Sequence, residues 1–337
     1  MKFDWKIIGH QKIIEILEEK FFNNKIPSSI LLVGPQQIGK FNLAKTLAKI
    51  IQCGEDFSFD SEIAKQIDKN IFPDFIQVGD LWQKDKLENF NIIAKTSSFD
   101  QKHRKNKNMR SDIISIDDVR SFSEKIFEKP NSSFKICLIR DVHRMSVEAA
   151  NSFLKILEEP PSKTIFLLTT THENLLLPTV LSRTCIFQMN LVSNNILQEY
   201  LQKENLSQEK KSTLLTLSQG RPERMKKLIQ DPDFLLAEQD FYHQLVNFFT
   251  PQNLMVKINF LEKILKDDHE LKEFFDRLLH FLRSLLIEKI KGKEMDISGK
   301  ISHSKLIFLI NETNLACQRI KQNLNKKLVL EKLLFSF

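Results

Sequence analysis

The sequence is poor in glycine, cysteine, tryptophan and tyrosine, and rich in phenylalanine. Its 337 residues include 8 Gly, 4 Cys, 2 Trp and 2 Tyr, against 27 Phe. The scarcity of glycine carries no functional information that we can use. The cysteines lie far apart without a CxxC pair, so neither a disulfide framework nor a zinc ribbon is indicated. We expect them to be reduced and mostly buried: Cys53, Cys137, Cys185 and Cys317.

Long apolar runs are also missing. No stretch approaches the ~20 apolar residues of a membrane span. The opening "MKFDWKIIGHQK" carries several charges and no apolar core followed by a small-residue cleavage site, so it does not resemble a signal peptide. We therefore expect a cytoplasmic protein with no membrane partner. A chain of this length indicates two or three domains at roughly 100 to 200 residues each.

Positive charge is in moderate excess, with a net charge of +7. This excess fits an anionic partner such as nucleic acid, and fits a lysine-rich surface that serves solubility equally well. Residues 80–112 lack apolar periodicity, and five Lys or Arg residues lie between Lys102 and Arg110. We expect a flexible surface insertion here. A phosphate-contacting arm remains an alternative, but a solvated loop is favoured.

Four continuous apolar runs alternate with amphipathic segments up to about residue 188. The runs "SSILLVG", "DFIQVG", "FKICLI" and "TIFLLTTT" are typical of strands buried on both faces of a parallel sheet. Between them the apolar spacing predicts helices, including one capped by Asp117 and stopped by Pro130. The pattern indicates an α/β domain with a mostly parallel sheet. Beyond residue 190 only helical periodicity remains, so the last third is predicted to be all-α.

The segment "GPQQIGKF", Gly34 to Phe41, follows one predicted strand and precedes a predicted helix. Gly34, Gly39 and Lys40 match the phosphate loop GxxxxGK[ST], whose backbone N–H groups surround the phosphates while the lysine reaches the β and γ phosphates. The last hydroxyl of that motif ligates Mg²⁺, and Phe41 stands in its place. A benzyl group cannot ligate a metal, so a bound nucleotide would lack this anchor for its Mg²⁺.

A working site of this kind needs a second motif, in which an apolar strand ends in an Asp for Mg²⁺ and a Glu that orients the attacking water. The strand "KICLI" ends instead in Arg140 and Asp141. Positioning and electrostatic stabilisation supply nearly all of phosphoryl-transfer catalysis, so these changes oppose hydrolysis. We expect a disabled site with no intrinsic ATPase activity, no metal and no required cofactor. Weak ATP or ADP binding through Gly34, Gly39 and Lys40 remains open.

With these residues the chain resembles the AAA+ clamp-loader subunits of bacterial DNA polymerase III, and the delta prime subunits most of all. The stretch "KICLIRDVHRMSVEAANSFLKILEEPPSKTIFLLTTTHENLLLPTVLSRT" is similar to the core signature of that family. The opening "IIGHQKIIEILEEKFFNNKIPSSILLVGP" resembles the family's first segment. Weaker similarity extends to the C-terminus, and it is poorest at 80–112.

The resemblance implies three domains. An AAA+ P-loop α/β domain with a parallel sheet would span 1–189, followed by a small helical lid over 190–232. An all-α collar domain over 233–337 would then join subunits into a ring. The family often carries a four-cysteine zinc module, of which only Cys53 remains, and one thiolate cannot complete a four-ligand site. We therefore expect no zinc.

The resemblance also implies roles for individual residues. In the family an "SRC" tripeptide projects an arginine into the ATP site of the adjacent subunit, where its charge stabilises the transferring phosphate. Here the tripeptide is "SRT", which assigns this role to Arg183 beside Ser182. For Arg183 taken alone, a structural salt bridge is the alternative. Thr170 or Thr171 resembles the first sensor of the family and Arg221 the second.

These residues favour a non-hydrolysing clamp-loader subunit that supplies Arg183 in trans. Its expected partners are the motor ATPase and delta subunits, the sliding clamp, and primer-template DNA within the complex. An ATP-hydrolysing motor subunit of the same assembly is one alternative, opposed by Phe41 and Arg140. A stand-alone DNA-binding AAA+ protein is another, and it would depend on the basic stretch 102–110.

Overall fold

The computed structural model of the chain describes residues 3–84, 96–248, 254–265, 268–290, 301–322 and 324–337. The chain forms two compact units, Met1–Lys226 and Lys227–Phe337. The expected boundary between lid and collar, 232/233, thus differs by a few residues from the boundary between these units. Three helices lie within the range expected for the lid; all three begin in the first unit, and the boundary falls inside the third.

The first unit contains a five-stranded sheet in the order β2-β3-β4-β1-β5, with every pair parallel. The strands are β1 Ser29–Val33, β2 Phe75–Val78, β3 Lys135–Ile139, β4 Thr164–Thr170 and β5 Cys185–Gln188. Every residue of β1 to β4 is buried, as their continuous apolar runs predict. The expected α/β fold with a parallel sheet is confirmed. The short edge strand β5 was not predicted.

Helices cover both faces of the sheet. The helices that precede the sheet or lie between its strands in the chain are α1 Gln11–Phe22, α2 Lys40–Cys53, α3 Glu62–Asp68, α4 Lys102–Asn106, α5 Ile116–Phe127, α6 Val147–Glu158 and α7 Pro178–Leu181. Helices α5 and α6 pack their apolar stripes on one face, where Phe122, Phe153 and Phe166 form a series of edge-on ring contacts. Helix α2 packs on the opposite face through residues such as Leu43 and Leu47.

The N-terminus of α5 corrects a predicted cap. Ser115, not Asp117, precedes the helix and accepts a hydrogen bond from the N–H of Asp118, whose carboxylate in turn accepts one from the N–H of Ser115. This reciprocal arrangement is a capping box, and it satisfies two backbone donors that the helix cannot satisfy itself. Asp117 instead lies in the first turn, where its charge favours the helix dipole.

The basic stretch does not form the expected flexible loop. Residues 85–95 lie outside the described part of the chain, but 96–112 are folded, and α4 contains three of the five basic residues. Arg104 is fully buried and lies 2.5 Å from Asp118, which is also fully buried. Its guanidinium also donates to the carbonyls of Trp82, Ser111 and Ile113. An arginine with these partners fixes the segment to α5, so the expectation of mobility is wrong for 96–112.

The remaining elements are all helical. Residues 194–230 contain α8 Asn194–Gln202, α9 Gln208–Ser218 and α10 Pro222–Gln230. The second unit contains α11 Pro232–Phe248, α12 Leu254–Ile264, α13 Asp268–Ile290, α14 His303–Lys321 and α15 Lys326–Leu334. Its core contains Phe274, Phe281 and Leu309, among many other apolar side chains. In the described residues beyond Gln188 there is no strand, which confirms the all-α prediction.

One expectation from composition, the burial of the cysteines, can be compared with this fold. Of the four free cysteines only Cys137 is buried, so the expectation that most are buried is wrong. Over the described ranges no cluster of three or more His, Cys, Asp or Glu side chains could hold a metal ion. Within the same ranges, no helix combines the length and apolar character needed to cross a bilayer.

Candidate functional site

The carboxyl ends of the central strands bring most of the predicted site residues to one edge of the sheet. Val33 at the end of β1 is in register with Thr170 at the end of β4. Ile139 at the end of β3 is in register with Leu168. The phosphate loop that follows β1 and the Arg140–Asp141 turn that follows β3 therefore flank the end of β4. Ligands of open parallel sheets bind at this edge.

The two glycines of the loop are required by local geometry. The N–H of Gly34 donates to the carbonyl of Thr170 at 3.2 Å. A Cβ at Gly34 would lie 2.3 Å from the carbonyl oxygen of Met189, so no side chain fits there. Gly39 has a φ of 105°, which L-residues rarely adopt, and directly precedes α2. The loop thus turns into a helix N-terminus, as a phosphate loop must.

Lys40 is the first residue of α2 and lies inside the loop. Its ammonium donates to the carbonyls of Gly34 at 2.7 Å and Pro35 at 2.6 Å, and the side chain is buried. Burial lowers the pKa of Lys40 from 10.5 to about 8, against the opposing effect of the Asp141 carboxylate. The charge of Arg140 lowers it further. The lysine therefore contacts the backbone of its own loop.

The positions that would anchor Mg²⁺ hold other groups. Phe41 follows Lys40 in α2 and is half-buried. Arg140 forms long ion pairs with Asp80 at 3.5 Å and with Asp141 at 3.6 Å. Asp141 has a left-handed φ of 54°, and its N–H donates to the hydroxyl of Thr169. Neither the aromatic ring of Phe41 nor the guanidinium of Arg140 can ligate a divalent cation.

Thr170 and Thr171 contribute to a small polar cluster at the end of β4. The hydroxyl of Thr170 is hydrogen-bonded to Nδ1 of His143 at 3.0 Å and accepts the N–H of His172 at 3.1 Å. The hydroxyl of Thr171 is hydrogen-bonded to Nδ1 of His172 at 2.7 Å. The two imidazole rings lie 4.9 Å apart. Thr170 is thus fixed by the turn after β3, while Thr171 lies one residue outside the strand.

A contact that the sequence did not predict joins α10 to the phosphate loop. The N–H of Glu223 donates to the carbonyl of Gln37 at 3.0 Å, and its carboxylate accepts a hydrogen bond from Asn42 at 2.5 Å. Arg221 lies near enough for its charge to lower the pKa of Lys40. The interacting pair is 181 positions apart in the chain. Glu223 lies two residues after Arg221, and Asn42 lies two residues after Lys40.

Arg183 lies away from these residues. It is at the edge of the sheet formed by the amino ends of the strands, opposite the edge that carries the phosphate loop. It precedes β5, whose first residue, Cys185, is in register with Ile30, whereas Gln188 is in register with Val33 beside the phosphate loop. The three residue steps from Cys185 to Gln188 correspond to about 10 Å, at 3.3 Å per residue, and this distance separates the two ends of β5. The Arg183 guanidinium donates to the carbonyl of Thr179 and to the hydroxyl of Ser182. It is in the wrong place to serve the phosphate loop of its own chain.

Comparison with known proteins identifies the family. A family model described as "DNA polymerase III, delta subunit" matches residues 9–193, more than half of the 337 residues. The chain belongs to this family. The matched segment contains the sheet, the phosphate loop, the Arg140–Asp141 turn and Arg183. The resemblance inferred from the sequence is thereby confirmed for the clamp-loader family of DNA polymerase III.

Individual relatives include both delta prime and gamma subunits of DNA polymerase III. The delta prime subunit of Buchnera aphidicola subsp. Schizaphis graminum is 27% identical over 262 residues, which cover 75% of this chain and 69% of that protein. The gamma subunit of the same organism is 29% identical over 207 residues, which cover 59% of this chain and 49% of that protein. The clamp-loader chain described here thus spans about half the length of the gamma subunits that it matches.

Among solved structures, the chain is similar to a DNA polymerase III gamma subunit-related protein from Thermotoga maritima. The identity is 19%, the TM-score is 0.45, and the match covers 94% of this chain and 97% of the other.

Proposed function

We propose that this member of the family is a non-hydrolysing, delta prime-like subunit of the DNA polymerase III clamp loader. One observation carries the proposal. Phe41 directly follows the phosphate loop and Arg140 directly follows β3, and these are the two motif positions from which a protein anchors the Mg²⁺ of a bound nucleotide. Without that ion, the charge that develops on the transferring phosphate loses its main stabilisation. The chain has no intrinsic ATPase activity in this proposal.

The catalytic contribution of the chain is Arg183, acting on a neighbouring subunit. Its guanidinium is partly exposed at the sheet edge opposite the phosphate loop, with Ser182 beside it. A planar, permanently charged guanidinium can pair with two phosphate oxygens at once. In trans, it would stabilise negative charge on the phosphate transferred in the neighbour. This position supports an arginine finger better than a role in the chain's own site.

The second unit offers surface for assembly. Several large apolar side chains on α13, α14 and α15, or directly after α15, are exposed, and exposed apolar side chains are one feature of surfaces that bind a partner protein. They are Ile287, Ile290, Ile307, Phe308, Leu328 and Phe335. We propose that these helices dock on the motor and delta subunits. The assembled loader then holds the sliding clamp and primer-template DNA, and helps to place the clamp on primed DNA.

No cofactor is required in this proposal. Gly34, Gly39 and Lys40 retain the geometry for weak phosphate contact, so weak ATP or ADP binding is compatible with it. Thr171 and Arg221, the sensor-like residues, would then support structure more than catalysis. Zinc is not expected, because Cys53 is the one cysteine left of the family's zinc module.

The proposal is tested in a clamp loader reconstituted with the motor and delta subunits of the same organism. Arg183→Ala should leave assembly intact and lower DNA-stimulated ATPase of the complex by about tenfold or more, because an arginine finger acts only in the transition state. Arg120→Ala is a matched control, since Arg120 is an exposed arginine on α5. If Arg183→Ala and Arg120→Ala complexes hydrolyse ATP equally, the finger is excluded.

The gamma-subunit matches favour one alternative, an ATP-hydrolysing motor subunit of the same assembly. Phe41 and Arg140 oppose it. The two functions differ in a single property, turnover by the isolated chain, so a steady-state ATPase assay separates them.

A further inference from the structure

The carboxylate of Glu223 lies against the phosphate loop of its own chain. Glu223 is in the first turn of α10, and its backbone N–H donates to Gln37 inside the loop. One carboxylate oxygen accepts a hydrogen bond from Asn42. A Cβ added to Gly39 would lie 3.9 Å from the other oxygen. The anionic side chain therefore lies beside the turn at which α2 begins.

We propose that Glu223 is an autoinhibitory residue, whose carboxylate lies beside the N-terminal end of α2 and weakens the binding of nucleotide phosphates to the loop. The proposal goes beyond the absence of hydrolysis, because it concerns binding. It is independent of Arg183 and of assembly, since it involves only contacts within Met1–Lys226.

The local charges explain why a carboxylate is stable there. The first N–H groups of a helix have no partner within it and carry a partial positive charge, which attracts carboxylates and phosphates alike. Asn42, in the first turn of α2, supplies a donor to one oxygen of Glu223, and Lys226 lies 3.1 Å from the other. The Glu223 carboxylate thus lies beside Gly39 and the first turn of α2, where its charge has the same sign as that of a nucleotide phosphate.

The second element of the inhibition is Lys40. Its ammonium is occupied by the carbonyls of Gly34 and Pro35, and burial lowers its pKa to about 8. A nucleotide must therefore draw Lys40 away from two short hydrogen bonds while its phosphates approach Glu223. Removing the carboxylate relieves the repulsion between Glu223 and the phosphates. The two hydrogen bonds of Lys40 must still be broken.

The magnitude follows from Coulomb's law. Like charges a few ångströms apart near a protein surface repel strongly enough to change an affinity by tenfold or more. Glu223→Gln keeps the size and the oxygen that accepts from Asn42 but removes the charge. We expect this variant to bind a fluorescent ATP analogue, in EDTA and at low salt, about tenfold or more tightly than the native chain.

The experiment compares the full native chain and Glu223→Gln with three further variants. Glu209→Gln removes one negative charge from the first turn of α9, another exposed carboxylate of the same region, and should leave the affinity unchanged. Asn42→Ala releases Glu223 without altering α10, and should give a smaller rise. Adding Lys40→Ala to Glu223→Gln should abolish the gain, because the loop lysine would no longer reach the phosphates.

The outcomes separate cleanly. A gain specific to Glu223→Gln that disappears with Lys40→Ala supports the proposal. If Glu223→Gln binds within twofold of Glu209→Gln, or if its gain persists in the Lys40→Ala background, the proposal is wrong. If circular dichroism shows that Glu223→Gln does not fold, the affinity of Asn42→Ala for the ATP analogue is compared with that of Glu209→Gln instead. None of these results depends on the ATPase of the complex, so the inference and the proposed function can fail separately.

Discussion

Arg183 and Glu158 form an ion pair, with Nη2 of the arginine 2.7 Å from Oε1 of the glutamate. Glu158 is the last residue of α6, and both side chains are partly exposed, at 35% and 47%. Exposed pairs of this kind contribute about 0 to 1 kcal/mol, because water screens them and two long side chains lose freedom. The pair holds the guanidinium at the surface without making the fold depend on it.

The contribution of this pair to stability distinguishes the two interpretations of Arg183, an arginine finger and a structural salt bridge. If the arginine is a finger, Arg183→Ala and Glu158→Ala should each lower the free energy of unfolding by less than about 1 kcal/mol. Chemical denaturation of the isolated chain measures this. A loss of several kcal/mol in both variants would instead favour the structural salt bridge, which was the alternative from the sequence.

The buried Arg104–Asp118 pair should behave in the opposite way. Removing one partner leaves an uncompensated buried charge, which costs about 3 to 5 kcal/mol. Arg104→Met should therefore destabilise the first unit strongly, as measured by denaturant unfolding. Lys105→Met, at the exposed neighbouring position of α4, is the control and should change stability by about 0.5 kcal/mol or less. Equal effects of the two substitutions would contradict the buried anchor.

The lowered pKa of Lys40 predicts that the stability of the folded chain depends on pH. The folded chain releases the Lys40 proton near pH 8 because the side chain is buried, whereas the unfolded chain releases it near 10.5. Between these values the unfolded state binds more protons, so stability from this residue rises with pH. At about 1.4 kcal/mol per pKa unit, the total is of the order of 3 kcal/mol.

Lys40→Met removes this titration. The difference in unfolding free energy, native minus variant, should therefore increase between pH 8 and pH 10.5. Lys65→Met, at an exposed lysine of α3, corrects for the loss of one charge. Parallel curves for the native chain and Lys40→Met would show that the lysine is not buried as described.

The basic stretch 102–110 has fewer available charges than its sequence indicates. Arg104 is buried with Asp118, Lys107 pairs with Asp117, and Lys102 lies 3.6 Å from Asp100. We therefore expect the double variant Lys105→Gln/Arg110→Gln to leave the salt dependence of DNA affinity nearly unchanged. Two lost phosphate contacts would reduce the slope of log K against log salt by about 2 units, and that result would favour the stand-alone DNA-binding reading.

The sequence predicts the sheet well because β1, β3 and β4 are continuous apolar runs with both faces buried. The sequence does not predict the short strand β5, because only one of its four residues is buried and the strand lies at the side of the sheet. The apolar spacing likewise predicts helices between these strands, and α5 and α6 lie there. Ser115 and Asp117 are both good caps, and only the reciprocal bonds with Asp118 distinguish them.

The parts that the sequence did not predict depend on contacts between distant residues. Arg104 is in a run of basic residues typical of a solvated loop, and its burial requires the carboxylate of Asp118 to lie beside it. The contact between Glu223 and Asn42 joins two segments that share no motif. The loop glycines and Arg140 were recognised because their chemistry is local, whereas the position of Arg183 relative to the loop required the strand register.

The most direct test of the central claim is steady-state ATP hydrolysis by the isolated chain with Mg²⁺, compared with its Lys40→Ala variant. The account predicts that the native chain shows no turnover above that of Lys40→Ala, because Phe41 and Arg140 leave the ion without protein ligands. Robust magnesium-dependent turnover that disappears in Lys40→Ala would contradict it and establish a motor subunit.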